Sequence, residues 1–253
     1  MNKKIKSLVL AAVMGLSLTT VAVVPTTVEA ASAGAAETLI GGAVAYAYVS
    51  TAFNKMDNSK EGQEQSLARA KKQTGYLEDS AAQARVQRIM KTLEASPSVK
   101  RSYVVYANPS DDFNAFATVG RVMSVNKGAL DLLDDDELAY VMAHEISHGE
   151  HKDIVNGLKK QVGLSTAVSL AAGGGGNAAI LSNIAGNYME NQVFTMGQEK
   201  AADELGFKIL SESQYNVGAA AASMAVLRNK YGDLYREGLN QVFSPNNHPK
   251  TSS

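Results

Sequence analysis

Apolar positions recur at helical spacing through most of the chain. Between Ser80 and Ala95 they fall three or four residues apart, as on one face of an α-helix, and Ser96-Pro97-Ser98 ends the run. Beyond Gly128 the pattern stays helical to about Asn240, interrupted by the four glycines at 173–176. Two further segments come earlier: residues 35–53 are apolar, and residues 55–72 read as a charged, solvated helix or linker. The pattern therefore predicts a mainly helical chain.

One region between the helical runs has the pattern of β-strands. Tyr103-Val104-Val105-Tyr106 is rich in β-branched and aromatic residues and is closed by Asn108-Pro109-Ser110. Residues 113–119 and 122–125 flank Gly120-Arg121, which predicts a short hairpin. No internal repeat and no second domain is evident. We therefore expect an α+β fold, mainly α, with one small sheet.

The N-terminus has the composition of a targeting segment. Lys3, Lys4 and Lys6 precede an uncharged, mostly apolar run over residues 7–27, and small residues follow at the spacing that a signal peptidase reads. This predicts a cleavable signal peptide at residues 1–30, cut after Ala30 or Ala33; the alternative is an uncleaved membrane anchor. We expect an N-terminal helical segment at residues 31–77, a main domain at residues 78–253, and export to the periplasm or cell envelope of a bacterium.

Composition narrows the chemistry that the chain can carry. The 253 residues include 24 basic and 25 acidic side chains, so the net charge of -1 argues against a nucleic-acid partner. The absence of cysteine excludes disulfides, thiolate metal sites and cysteine nucleophiles. Catalysis must therefore come from histidine, carboxylate, hydroxyl or backbone groups.

The chemistry is concentrated in His144-Glu145-Ile146-Ser147-His148. Three aspartates just before it suit a helix N-terminus, and apolar residues lead into it, so we expect it to lie on a helix. Positions four apart share a helix face, so both imidazoles can reach one metal ion at about 2.0–2.1 Å. Glu145 is offset around the helix and can hold a metal-bound water without binding the metal. This is the arrangement of a zinc hydrolase.

A third metal ligand must come from elsewhere in the chain. Glu199 and Asp203 are also four apart, so one carboxylate could bind the metal while the other accepts an N–H from a ligating imidazole. Spacing alone leaves Glu150 and Glu190 as competing ligands. His151 lies seven residues after His144, about 10 Å along a straight helix, and is expected at the rim of the site.

The sequence resembles the HtpX/BepA-like zinc metallopeptidases. These are members of the gluzincin family that also contains the CAAX prenyl proteases (metallopeptidase family forty-eight). The resemblance runs from about residue 78 to the end of the chain. It is carried by the His144–His148 motif, by Glu199-x-x-Ala202-Asp203-x-x-Gly206, by Asn114-Ala115-Phe116-Ala117 and by His248-Pro249. The resemblance implies a zincin-like domain with a small sheet and an active-site helix that carries the histidine motif.

The resemblance also implies residue roles. One Zn²⁺ per chain would be bound by His144, His148 and Glu199, with Asp203 supporting a ligand and Glu145 activating the bound water. In the family, the segment that corresponds to Asn114, Ala115 and Phe116 lies along the cleft as an edge strand and can pair with extended substrate. His248 would stabilise the oxyanion or cap the zinc. The family's arginine shortly after the His-Pro element is missing here.

The expected function is that of a zinc metalloendopeptidase acting on unfolded or misassembled envelope proteins, with envelope assembly machinery as a partner. The alternative is a metal-bearing periplasmic chaperone or assembly adaptor whose proteolysis is latent or secondary. Residues 161–189 contain no charged residue and centre on four glycines, which favours a gating helical hairpin; contact with the membrane or a partner surface is the competing interpretation.

Overall fold

The computed structural model describes residues 46–47, 50–51, 53–171 and 194–231. In chain order its elements are α1 (Lys60–Thr74), α2 (Ser80–Glu94), β1 (Val104–Asn108), β2 (Ala115–Thr118), β3 (Val122–Asn126), α3 (Lys127–Leu132), α4 (Asp135–Glu150), α5 (Asp153–Ala171), α6 (Met196–Ser211) and α7 (Ala219–Tyr231). The expectation of a mainly helical α+β fold with one small sheet is confirmed.

The chain divides into two compact units, one formed by residues 1–55 and 157–188 and the other by residues 56–156 and 189–253. In the described part of the first unit, Lys159 Nζ donates to Asn54 Oδ1 at 2.8 Å. The second unit carries the sheet and the helices that position the candidate site. The division expected from the sequence, at residues 30 and 77, stays a prediction.

The sheet has three strands in the order β1-β3-β2. β3 lies at the centre, parallel to β1 and antiparallel to β2, with Ala107 opposite Val125 and Ala117 opposite Met123. The predicted hairpin joins β2 to β3 through Gly120 and Arg121, whose φ angles of 84° and 59° are left-handed. Such a turn suits glycine and strains arginine.

The two faces of the sheet have different partners. Apolar side chains on one face join the main core with α2 and α4; among them are Val105, Ala107, Ala115, Met123 and Val125. The opposite face packs against α1. That helix begins after the N-cap Ser59 and buries Gly62, Ser66 and Ala70. The charged segment expected to be solvated therefore forms a helix with one face on the protein.

The outer edge of β1 is closed by a side chain. Gln83 of α2 donates from Nε2 to Ala107 O at 2.9 Å and accepts from Ala107 N at 3.0 Å, as a neighbouring strand would. The backbone N–H of Leu77 also donates to Ala107 O, at 3.0 Å. In the described part of the chain, no strand pairs with the outer edge of β2.

Both helices that carry the candidate site begin with a capping box. Asp134 and Glu137 cap α4, as the aspartate cluster predicted, and Thr195 and Gln198 cap α6. The two helices pack together so closely that a Cβ at Gly206 would lie 3.1 Å from His144 N and Cα. Two buried helices are thus held in contact at the histidine motif.

Between residues 53 and 171 and between residues 194 and 231, no helix combines the length and the apolar composition needed to cross a bilayer. α5 extends helical structure to Ala171. The rest of the expected hairpin, with its glycines at 173–176, lies outside the described residues, as does the expected signal peptide at residues 1–30.

Candidate metal centre

Three donor atoms converge where α4 meets α6. His144 and His148 are each about 1% exposed and Glu199 about 2%. The two Nε2 atoms are 3.2 Å apart, and Glu199 Oε2 lies 3.4 Å from His144 Nε2 and 3.9 Å from His148 Nε2. The helical spacing of the histidines and the docking of α6 on α4 together produce this triangle.

The other ring nitrogen of His144 faces a carboxylate. Its Nδ1 lies 2.9 Å from Asp203 Oδ1, which also accepts from the Tyr140 hydroxyl at 3.2 Å. A proton on Nδ1 leaves Nε2 as an acceptor that faces the triangle. Burial opposes protonation of His144, but hydrogen bonds to Asp203 and Glu199 outweigh it and raise its pKa to about 10. The sequence predicted the position of Asp203 but not the contribution of Tyr140.

His148 has a matching arrangement that the sequence did not predict. Its Nδ1 lies 2.9 Å from Asp153 Oδ2, and Asp153 Oδ1 accepts from Gln198 Nε2 at 2.8 Å. The Phe194 ring stacks on the imidazole with centroids 3.8 Å apart and an interplanar angle of 14°. Burial opposes ionisation of Asp153, but hydrogen bonds from His148 and Gln198 keep its pKa below the ordinary value. Each histidine of the motif is thus oriented by its own aspartate.

The donor set fits a zinc ion. His144, His148 and Glu199 form the one group of three such residues that could hold a metal within the described ranges, and their donor atoms all lie within 4.8 Å of one another. Tetrahedral ligands at about 2.0–2.1 Å are separated by roughly 3.3 Å, close to the sides of this triangle. With Nδ1 protonated on both rings, two lone pairs and a carboxylate oxygen face one point. A metal cation satisfies this convergence by displacing the proton that His144 shares with Glu199.

Glu145 lies beside this triangle and contacts the sheet. Its side chain is about 5% exposed, and Oε2 accepts from the backbone N–H of Ala117, in β2, at 3.0 Å. Burial raises its pKa, while the neighbouring His148 and His144 and the Ala117 N–H oppose the shift. A buried carboxylate of raised pKa next to a metal site is suited to accept and return a proton.

The predicted edge-strand residues lie in or beside β2. Asn114 precedes the strand and its carbonyl accepts from Asn126 N at 2.9 Å. Ala115 faces the main core, whereas Phe116 packs with Tyr106 and Val122 on the face covered by α1. The Ala117 backbone N–H donates a hydrogen bond to Glu145 of the histidine motif, whereas the Phe116 side chain points to the opposite face.

The alternatives left open by spacing are placed elsewhere or not described. Glu150 Oε1 accepts from Tyr103 Oη at 2.9 Å and from Arg101 N at 3.1 Å, outside the donor group. His151 is the exposed C-cap of α4. Glu190 and His248 lie outside the described residues.

Comparison with known families agrees with this geometry. Residues 77–253 match the model of peptidase family M48. The chain belongs to this family. The resemblance seen in the sequence is therefore confirmed, and the family is one of metalloproteases, in keeping with the histidine and glutamate donors described above.

Three relatives from this M48 group show how far the similarity extends. The chain is 28% identical over 138 residues to the beta-barrel assembly-enhancing protease of Escherichia coli (strain K12), covering 50% of this chain and 28% of that protein. It is 26% identical over 155 residues to metalloprotease LoiP of the same strain, covering 60% and 58%. It is 32% identical over 133 residues to a protease HtpX homolog of Salinibacter ruber, covering 46% and 47%. The chain thus spans less than two thirds of the length of these relatives.

Proposed function

We propose that this member of family M48 is a zinc-dependent endopeptidase that hydrolyses unfolded or misassembled envelope proteins. The observation that carries the proposal is the convergence of His144, His148 and Glu199 donors beside the buried carboxylate of Glu145. Two nitrogen donors and one oxygen donor leave a fourth tetrahedral position for water, as catalytic zinc sites require. The match to the metalloprotease family supports the same conclusion.

Glu145 is proposed as the general base. Bound at the three donors, zinc would supply Lewis acidity, lowering the pKa of a water molecule and polarising the scissile carbonyl. Glu145 takes the proton from the attacking water and returns it to the leaving amine. The Ala117 N–H binds one carboxylate oxygen of Glu145, and the other oxygen is proposed to take the proton. Asp203 keeps His144 in the tautomer that presents Nε2.

The outer edge of β2 is proposed to hold the substrate main chain. An extended peptide that pairs with Asn114, Ala115 and Phe116 by backbone hydrogen bonds would lie next to Glu145, because Ala117 of the same strand contacts that carboxylate. Main-chain pairing allows loose sequence preference. His248 is proposed to donate to the oxyanion or to cap the metal.

The sequence and a relative support the proposed substrate class and location. The relative from Escherichia coli is named a beta-barrel assembly-enhancing protease. Together with the signal-peptide pattern at residues 1–30, this supports action in the periplasm or cell envelope and contact with envelope assembly machinery. Peripheral contact with the membrane, through the uncharged residues 161–189, is part of the same proposal.

The test is a degradation assay on the protein purified after export from a bacterial host. Wild type and Glu145→Gln are incubated with casein as an unfolded substrate, with and without a zinc chelator, and metal content is measured by mass spectrometry. Removal of the base should lower the cleavage rate by about 10²–10⁴-fold while zinc is retained. Glu204→Gln, at an exposed position of α6, is the matched control and should cleave like wild type.

Two results would contradict the proposal. Cleavage by Glu145→Gln at the wild-type rate would remove Glu145 as the base. If neither protein cleaves casein although both hold zinc, and if both prevent its aggregation, the chain acts as a metal-bearing chaperone or adaptor.

A further inference from the structure

Gln198 uses both ends of its amide. Its Oε1 accepts from Thr195 N at 2.9 Å and from Thr195 Oγ1 at 3.0 Å, which completes the capping box of α6. Its Nε2 donates to Asp153 Oδ1 at 2.8 Å. Glutamate would serve the cap equally well, because a capping box needs only an acceptor at this position. The amide nitrogen of Gln198 is needed only for the hydrogen bond to Asp153.

Asp153, the first residue of α5, contacts the candidate metal centre through His148. It is about 6% exposed and begins α5, directly after Lys152, whose φ of 59° is left-handed. This residue lets the chain turn sharply between α4 and α5, so that Asp153 reaches back to His148 of the preceding helix. A left-handed conformation is unfavourable for a lysine, and the surrounding contacts must offset this strain.

We propose that Gln198 and Asp153 are positioning residues that orient His148 for metal binding and link this orientation to the docking of α6. The inference rests on the proposed metal site and extends it. Glu199, the third donor, directly follows Gln198 on α6. The hydrogen bond between Gln198 and Asp153 therefore fixes two donors from different helices, the imidazole of His148 and the carboxylate of Glu199.

The polarity of this contact allows a reciprocal exchange. Gln198→Glu keeps the acceptor that caps α6 but places a second carboxylate against Asp153. Asp153→Asn keeps an oxygen for the Nδ1–H of His148 but turns an amide NH₂ toward the amide of Gln198. In the double variant the introduced amide donates to the introduced carboxylate. The contact between positions 153 and 198 is then restored, and the hydrogen bonds to His148 and Thr195 are kept. The double variant has the same net charge as wild type.

The experiment measures zinc affinity of the full chain by competition with a chromophoric chelator. Both single variants should bind zinc about 10–100-fold more weakly than wild type, the range found when groups that orient metal ligands are removed. The double variant should recover most of that loss. Circular dichroism and urea unfolding in excess chelator establish that each variant is folded. If the only contribution of Gln198 to stability is the cap of α6, Gln198→Glu should have the same free energy of unfolding as wild type.

Four results separate the hypotheses. Single variants with wild-type affinity would overturn the positioning role, and so would a double variant whose loss equals the sum of the two single losses. Wild type that binds no zinc would instead overturn the proposed function and, with it, this inference. A structural role alone would lower stability without rescue of affinity in the double variant.

Discussion

Gly206 packs against the backbone of His144, so Gly206→Ala should lower the free energy of unfolding by an amount that the contact distances determine. A Cβ at position 206 would lie 3.1 Å from both N and Cα of His144 and 3.4 Å from the carbonyl carbon of Ala143. All three are backbone atoms of a buried helix, so none can rotate away. Gly206→Ala must therefore move α6 away from α4 by a few tenths of an ångström.

Two effects of opposite sign decide the outcome. Alanine is favoured over glycine by about 1 kcal/mol in a helix interior. Forcing an extra carbon into a packed core costs about 1–3 kcal/mol. Since the contacts at Gly206 are with backbone, we expect the packing cost to exceed the helical gain, and the free energy of unfolding to fall by roughly 1 kcal/mol. Zinc affinity should fall as well, because α6 carries Glu199 and Asp203.

Gly197→Ala is the matched control, since it makes the same chemical change on the same helix. The nearest side-chain atom to a Cβ there is Thr195 Oγ1, at 4.0 Å, so the substitution meets open space and should leave stability unchanged or raise it. Urea unfolding in excess chelator measures both variants, and chelator competition then measures zinc affinity. If Gly206→Ala is as stable as Gly197→Ala and binds zinc like wild type, the close approach of the helices does not constrain the site.

Two further predictions concern the sheet edge and pH. Gln83→Ala leaves the buried N–H of Ala107 without its partner and should lower the free energy of unfolding by about 1–3 kcal/mol. The control is Gln87→Ala, at an exposed position of α2, which should have little effect. Equal urea midpoints for the two variants would refute this prediction. Because the pKa of His144 is raised to about 10 in the metal-free protein, zinc must displace its proton at any pH below about 10. Zinc affinity should therefore rise about tenfold per pH unit up to about pH 10 and level off above it. Calorimetry in two buffers of different ionisation enthalpy measures the proton release. An affinity that does not change with pH would show that His144 is not protonated in the metal-free protein.

The helices and the donors at helical spacing could be read from the sequence because local physics determines them. The spacing of His144 and His148 places both on one helix face, and the aspartates before them form the expected N-cap. The turn at Gly120-Arg121 likewise appears where the residue types favour it. Such features depend on neighbours within a few positions, which periodicity and capping rules describe.

Features that depend on contacts between distant segments could not be read in this way. Asp153 is an ordinary acidic residue in the sequence, and only the left-handed turn at Lys152 brings it to His148. Gln83 closes a strand edge 24 residues further along the chain, which no local pattern indicates. The two segments that flank Gly120-Arg121 predicted the hairpin, but only the tertiary arrangement shows that the Ala117 backbone contacts Glu145.

The distance along the chain between the groups at this site has a consequence for folding. His144 and the aspartate that orients it are 59 residues apart, so their contact forms only after α4 and α6 have come together. An unfolded chain offers the two histidines but not the arrangement completed by α6, and it should hold zinc weakly. By mass action, zinc at 100 times its dissociation constant would stabilise the folded chain by about 2.7 kcal/mol. With the proposed zinc site, metal supply in the surrounding compartment would set the folded fraction of this protein as well as its active fraction.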